Sequence, residues 1–252
     1  MSEREVGLID IVSAAGLWAA ALVALFGAPF WERLKRPKLI LRRAPPHLSV
    51  QERHALAPKT STAYTCYYSH LEVANEGSQA ATEVEVFLSG VYRRVDGAWV
   101  TERWFTPEWL WWATIRNIPG GGVRGIYLPT LPPDARRYVE LAHVLDPSHR
   151  DHFPDEDYTS AARDKTLLSL DVAVTYLRVG HLLAPGDYKF TLEVAAANAP
   201  PRAFEVEIRH SGEWPKDVAA MRESGVLIGP VRPISEEAVR LLAAQRDEPN
   251  GP

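Results

Sequence analysis

The residues best suited to chemistry lie in the segment DPSHRDHFPDED, where two histidines stand among acidic side chains. His149 and His152 are three positions apart, and imidazole and carboxylate groups are common ligands of divalent metals. However, Pro147 and Pro154 disfavour the regular helix that would bring both rings to one side. A metal-dependent enzyme is therefore one hypothesis, and a solvated acidic loop without a metal is the simpler interpretation.

Other catalytic motifs are absent from the sequence or lack the secondary structure that they require. Gly120, Gly122 and Gly125 match the string G-x-G-x-x-G, but this dinucleotide motif needs a helix directly after its glycines. The sequence continues as IYLPTLPP, and the three prolines exclude a long helix. The chain also has no G-x-S-x-G, H-E-x-x-H or C-x-x-C motif. We therefore expect a protein that is not an enzyme and that uses no cofactor.

A cluster of tryptophans is the clearest candidate for binding. Five of the eight tryptophans fall in the segment WVTERWFTPEWLWW, which spans residues 99–112. Exposed tryptophans stack on flat ligands, anchor proteins at the membrane interface or form hot spots in protein interfaces. The same rings can instead cover an open end of the fold. The candidate interaction surface consists of Trp104, Trp109, Trp111 and Trp112.

A membrane anchor is predicted near the start of the chain. From Ile11 to Trp31 the sequence has 21 residues without a charge, enough for a helix to span a bilayer. The tail before it, residues 1–10, is acidic, and no small-x-small cleavage site is evident, so a secretory signal is disfavoured. The span also contains small residues that would allow close helix packing in a homo-oligomer. These are Ala15, Gly16, Ala19 and Ala20.

Six basic residues follow the span in a juxtamembrane segment, residues 32–45. They are Arg33, Lys35, Arg36, Lys38, Arg42 and Arg43. Because basic residues beside a span stay on the cytoplasmic side, we expect a single-pass protein of the inner (plasma) membrane with a cytoplasmic soluble domain. The cluster can also attract anionic headgroups of the bilayer. The single Cys66 fits a reducing compartment, and we expect a buried structural thiol.

The charge of the remaining chain argues against nucleic-acid binding. Residues 1–32 carry a net charge of −3 and residues 33–43 a charge of +6, so the total of −4 leaves −7 for residues 44–252. A protein that binds nucleic acid needs a basic face to neutralise phosphates. We therefore expect a protein partner and the lipid bilayer as binding partners, and no nucleic acid.

Beyond residue 45 the sequence alternates between apolar and polar residues, as half-buried antiparallel strands do. The pattern is clear in TEVEVFLSGVY and recurs at residues 167–176, 187–194 and 204–209. In the first of these later segments it places Ser169 and Asp171 on the polar side. Helical periodicity outside the anchor is confined to SEEAVRLLAAQRD, with a shorter turn around residues 215–222. This pattern predicts a mainly β antiparallel sandwich.

Two segments resemble immunoglobulin-like domains. LEVANEGSQAATEVEVFL resembles the strand, turn and strand of CARDB-like bacterial domains, with matches at Leu71, Val73, Asn75, Gly77, Ala81, Val84, Val86 and Leu88. LLAPGDYKFTLEV resembles the P-G-x-Y strand of immunoglobulin-like and fibronectin type III folds. There Tyr188 would be a tyrosine corner, with a buried ring and a hydroxyl bonded to nearby backbone. The resemblance implies a role in adhesion, recognition or assembly and brings no catalytic residues.

These observations predict an immunoglobulin-like sandwich domain over residues 46–214, followed by a C-terminal helical tail over residues 215–252. An ordinary domain of this kind needs about 100 residues, so we expect a long insert at about residues 96–165. The expected function is a non-catalytic binding module at the cytoplasmic membrane surface. The alternative is a membrane effector that senses a ligand and oligomerises through its span.

The predicted orientation can be tested with reporters fused to the C-terminus. We expect a cytoplasm-competent fluorescent reporter to be active and a reporter that works only in the periplasm to be inactive, because the basic residues hold the downstream chain in the cytoplasm. The same two reporters fused to the N-terminus, which is predicted on the other side of the membrane, serve as the control. An active periplasmic reporter at the C-terminus would overturn the predicted orientation.

Overall fold

The computed structural model describes Trp18 and residues 36–56, 63–113, 125–148, 165–173, 181–215 and 217–235. Within these residues no helix is both long and apolar enough to cross a membrane. Several predictions concern residues outside this description. They are the anchor apart from Trp18, the basic residues Arg33 and Lys35, the glycines at 120 and 122, the His149 and His152 pair, and the C-terminal helix beyond Ser235.

The described chain forms two antiparallel sheets of seven strands each, with strands numbered in chain order. Sheet A contains β1 (Leu39–Arg43), β2 (Val50–Leu56), β3 (Ala63–Asn75), β7 (Trp111–Trp112), β9 (Arg136–Leu145), β10 (Leu168–Leu170) and β11 (Leu182–Leu183). Sheet B contains β4 (Ala81–Val95), β5 (Ala98–Thr101), β6 (Glu108–Trp109), β8 (Tyr127–Leu131), β12 (Gly186–Ala196), β13 (Ala199–His210) and β14 (Val226–Pro233).

Helical structure is limited to short connections in the described residues. α1 (Pro46–Ser49) joins β1 to β2, and α2 (Val218–Ala220) continues into a π-helical turn, Met221–Gly225, before β14. The second of these lies where the sequence predicts a short helical turn. The mainly β, two-sheet prediction is confirmed.

Alternation explains how the two sheets share one core. In β4 the apolar residues Val84, Val86 and Leu88 are fully buried, while the residues between them point away from the core. Phe190 and Leu192 of β12 add to the same layer. Sheet A supplies the opposite layer through residues such as Leu71. Side chains from both sheets therefore form a single apolar cluster.

The segment expected as an insert is built into the sheets. β9 lies between β3 and β10 near the middle of sheet A, and β8 pairs with the first half of β4. Val139, Leu141 and Val144 of β9 are fully buried in the core. The additional length therefore enlarges the sandwich, because these strands carry their own apolar faces.

Asn75 connects several elements at the end of the sandwich where β1 begins. Its side-chain oxygen accepts hydrogen bonds from the backbone N–H groups of Lys38 (3.1 Å) and Gly77 (3.0 Å). Its amide nitrogen donates to the carbonyl oxygens of Gln79 (2.7 Å) and Leu131 (3.0 Å). The residue is 1% exposed. The buried Asn75 side chain therefore joins the residue before β1, the β3–β4 turn and β8.

Gly77 is required at this turn because the chain packs directly against it. A Cβ atom there would overlap the backbone of residues 36–38, which leads into β1. Since the obstacle is backbone, it cannot rotate away as a side chain would. The Asn75 and Gly77 pair therefore fixes where β1 enters the sandwich.

Tyr188 takes the position that the resemblance implies. Its ring is buried, and its hydroxyl donates a 2.7 Å hydrogen bond to the carbonyl oxygen of Ala184, four residues earlier. Burial raises the pKa of Tyr188 to about 12. The expected buried ring and backbone bond are confirmed, and they hold the start of β12 against the core.

We expect Asn75→Ala to lower the free energy of unfolding by about 3 kcal/mol, because it removes four hydrogen bonds that a buried side chain makes, one of them to the buried Leu131 carbonyl. Asn198→Ala is the matched control. Asn198 also bonds two backbone groups, Thr82 N–H and Ala80 C=O, but it is exposed. Its loss should cost under about 1 kcal/mol, since water can replace it. Denaturation of the full chain in detergent measures both, and equal losses would contradict this account.

Candidate functional site

The four candidate tryptophans are not equivalent in the structure. Trp112 is 0% exposed and belongs to the core, and Trp111 is half-buried with its indole N–H donating to the carbonyl oxygen of Val172 (2.9 Å). Trp104 and Trp109 are exposed, at 43% and 38%. Only Trp104 and Trp109 are therefore available to contact a partner, whereas Trp112 stabilises the sandwich.

Trp109 belongs to an aromatic surface on sheet B, which we define as Phe87, Trp109 and Tyr127, and the exposed Trp104 lies in the turn that follows β5. Phe87 pairs with Trp109 across β4 and β6, and their rings meet edge to face at 5.4 Å. Tyr127, at 51% exposure, stands opposite Glu85 on the neighbouring pair of strands. Because Val86 and Leu88 point into the core, Phe87 and its partner Trp109 lie on the outer face.

Acidic side chains orient the two exposed indoles. Trp109 Nε1 donates to Glu85 Oε2 at 3.2 Å, and Trp104 Nε1 donates to Glu102 Oε2 at 2.5 Å. Each ring therefore keeps its polar edge occupied and presents its apolar faces. Rings of this kind contribute large contact areas at low entropic cost when a protein binds.

The hairpin of β4 and β5 extends this surface. Asp96 and Gly97 form its two-residue turn, with φ of 50° and 84°, as a tight hairpin turn requires. The Arg94 guanidinium and the Lys189 ammonium lie 5.8 Å and 5.5 Å from the centre of the Trp99 ring. These distances are typical of cation–π contacts.

Two of the described basic juxtamembrane residues, Lys38 and Arg42, make ion pairs beside sheet A. Arg42 contacts Glu76 at 2.5 Å, and Lys38 contacts the same carboxylate at 3.4 Å. Arg136 lies 3.8 Å from the buried Glu72. Burial and the adjacent Glu72 raise the pKa of Tyr138. These ion pairs attach Lys38, Arg42 and Arg136 to the domain.

A second polar cluster was not predicted from the sequence. On the face of sheet A that points away from sheet B, Arg53 forms a 2.6 Å ion pair with Glu140, which is 0% exposed. Arg53 also donates to His70 Nε2 at 3.3 Å, so that His70 Nδ1 carries the proton and donates to the Leu48 carbonyl at 3.1 Å. The Arg53 guanidinium covers the ring of Tyr68 at 4.8 Å.

His143 and Asp171 continue this cluster across sheet A. The His143 ring stacks on Tyr68 at 4.9 Å, and its Nδ1 lies 3.1 Å and 3.2 Å from the two carboxylate oxygens of Asp171. A carboxylate in this position fixes the orientation of an imidazole that could accept a proton. Within the described residues, however, no hydroxyl or thiol hydrogen-bonds to His143, so the pair lacks a nucleophile there.

The alternation pattern explains why this polar cluster could not be predicted from the sequence. It places Asp171 on a polar side, which is correct, but the side chain is buried at 4% exposure. Arg53 and Glu140 are 87 positions apart, and only the pairing of β2, β3 and β9 brings them together. No local signal in the sequence marks such a pair.

Cys66 is buried at 0% exposure, as expected for a structural thiol, and its Sγ donates to the Arg53 carbonyl at 3.3 Å. Among the residues described, no group of three or more His, Cys, Asp and Glu side chains is placed to hold a metal ion. The proposed metal ligands, His149 and His152, lie outside these residues.

His210 is a buried histidine whose pKa is shifted by its surroundings. It is 1% exposed at the end of β13, and its Nε2 lies 2.7 Å from the hydroxyl oxygen of Thr166. Burial lowers the pKa of His210 from 6.5 to about 4. The neutral ring therefore joins β13 to the segment before β10.

Comparison with known proteins adds no relative. The chain matches no protein-family model, and neither a curated protein nor a solved structure matches it.

The lowered pKa of His210 predicts an acid-sensitive fold. The unfolded chain takes up the proton near pH 6.5, before the folded chain does near pH 4, so stability is complete above pH 6.5 and falls as the pH is lowered. Between pH 6.5 and 4.5 the native chain should lose about 2 kcal/mol more than His210→Gln. Denaturation at several pH values measures the difference. The exposed His47→Gln is the control and should follow the native chain, and identical profiles for all three chains would contradict the prediction.

Proposed function

We propose that this protein is a membrane-tethered, immunoglobulin-like β-sandwich that recognises a protein partner at the cytoplasmic surface of the inner membrane and catalyses no reaction. The observation that carries the proposal is the aromatic surface on the outer face of sheet B. Trp109 and Tyr127 are exposed there, and Trp104 is exposed in the turn after β5, although rings of this size favour burial. Exposed aromatic groups of this kind are typical of binding surfaces.

The direction of the strands favours a partner that approaches from the cytoplasm. β1 enters the sandwich opposite Asn75, at the same end as the start of β4. β4 then runs 15 residues away from this end to the β4–β5 turn. At about 3.3 Å per residue, the turn lies roughly 45 Å from the end where the chain enters. Under the proposed topology, the hairpin therefore reaches away from the bilayer.

The proposed anchor gives the module its mechanism. Confinement to the membrane raises the effective concentration of the sandwich near other membrane-bound proteins, so that a modest affinity is sufficient for association. The acidic domain and the basic juxtamembrane residues are consistent with this arrangement, since the basic residues lie next to the lipid headgroups.

Site-specific photocrosslinking of the intact chain in membranes tests the proposal. A benzophenone amino acid at Tyr127 should crosslink a partner protein, whereas the same group at the exposed Arg137 of sheet A should not. Trp104→Ala with Trp109→Ala should reduce the Tyr127 crosslink at least tenfold, because the two rings supply most of the apolar contact. Equal crosslinking at both positions, or no effect of the tryptophan variants, would count against the proposal.

A further inference from the structure

We propose that the free edge of β5 docks an acidic, extended segment of the partner protein, which adds to sheet B as a further strand. This inference rests on the proposed function, because it specifies the chemistry of the partner that the module recognises. Addition of a strand to an exposed sheet edge is a common mode of peptide recognition, in which backbone hydrogen bonds supply affinity and alternate side chains supply specificity.

In the part of the chain that the structure describes, the backbone of β5 has unused hydrogen-bonding groups along this edge. β5 is the last strand in the order of sheet B and pairs with β4 on one side. In a hairpin with a two-residue turn, the two residues that flank the turn form both of their backbone hydrogen bonds with each other, and the next pair of opposite residues forms none. The hydrogen bond from the Glu102 N–H to the Val91 carbonyl, at 2.9 Å, fits this alternation between β4 and β5. Trp99 and Thr101 therefore direct their N–H and C=O groups toward the free edge.

The hairpin also has apolar area that a strand would cover. Val95 and Val100 lie on the side of sheet B that faces the core, because they are in step with the buried Val91 and its neighbours. They are nevertheless 45% and 49% exposed. Sheet A therefore does not cover this part of the hairpin, and an added strand would bury Val100 with one of its two faces.

Charge selects an acidic partner. Residues 91–103 contain Arg93, Arg94 and Arg103 against Asp96 and Glu102, in a domain whose net charge is −7. Lys189 of β12 adds a further positive charge beside Trp99. The surface is thus locally positive on an acidic domain, and complementary charge steers an acidic segment toward it. The expected segment alternates apolar residues over Val100 with acidic residues near Arg94.

The opposite edge of sheet B does not offer the same opportunity. β14 contains Pro230 and Pro233, which lack the N–H groups that an added strand would need. Prolines on an edge strand are a common protection against unwanted pairing. The four residues of β5 include no proline. The contrast supports β5 as the edge that is left open for a partner.

Peptide binding to the full chain in nanodiscs tests this proposal. The probe is a labelled ten-residue peptide of alternating valine and glutamate, and its fluorescence anisotropy measures the Kd. We expect the same peptide with lysine in place of glutamate to bind at least tenfold more weakly. Arg94→Glu should weaken binding of the glutamate peptide at least tenfold. Arg232→Glu on the β14 edge is the matched control and should leave it unchanged.

A second variant tests the hydrogen-bonding edge itself. Thr101→Pro removes an N–H group that points away from β4, so it should weaken peptide binding at least tenfold while circular dichroism stays native. If this variant loses its native spectrum, Arg94→Glu and the lysine peptide decide the question. No binding, equal binding of both peptides, or equal effects of Arg94→Glu and Arg232→Glu would overturn the proposal.

The two proposals fail in different ways. If peptide binding fails but the crosslink at Tyr127 still depends on Trp104 and Trp109, the edge-docking inference is wrong and the recognition function stands. If the crosslink fails in membranes while the acidic peptide binds β5 with the expected charge dependence, the edge is a binding site and the aromatic surface is not where the partner docks.

Discussion

The arrangement of the sandwich depends on one buried amide. Asn75 bonds backbone groups of the residue before β1, the β3–β4 turn and β8, so that a single side chain sets where the chain enters and how the two sheets begin. Gly77 beside it leaves room for the incoming backbone. Because the Asn75 side chain is buried and makes all of these hydrogen bonds, an apolar residue in its place would lose them together. From this end β4 runs to the hairpin that presents the proposed binding edge.

The two sheets use their outer faces in opposite ways. Sheet A buries charged groups on its outer face, where Glu140 pairs with Arg53 and Asp171 pairs with His143. Sheet B leaves aromatic rings exposed on its outer face, as Trp109 does. A buried charge needs partners at fixed positions, so its surroundings are rigid. An exposed ring, in contrast, can still gain free energy when a partner buries it. This difference is consistent with a structural role for the outer face of sheet A and with recognition by the outer face of sheet B.

The tryptophan-rich segment combines structural and binding roles within a few residues. Leu110 and Trp112 fill the core, while Trp109, directly before Leu110, points outward and Trp104 lies exposed further upstream. Trp109 is in β6 of sheet B and Trp112 is in β7 of sheet A, so the chain passes from one sheet to the other within this segment. The same segment therefore attaches the aromatic surface firmly to the sandwich, and a rigid platform loses little entropy when a partner binds.

The sequence by itself determined the mainly β class, the inward face of β4 and the turn at Asn75 and Gly77, because each depends on neighbouring residues or on a period of two. The hydroxyl bond of Tyr188 was expected from the resemblance of its segment to immunoglobulin-like strands. Tertiary structure alone decided the rest. It placed β9 inside sheet A, it separated buried Trp112 from exposed Trp109, and it joined Arg53 to Glu140. These outcomes depend on which strands pair and on what lies above each face, and such long-range contacts leave no periodic signal in the chain.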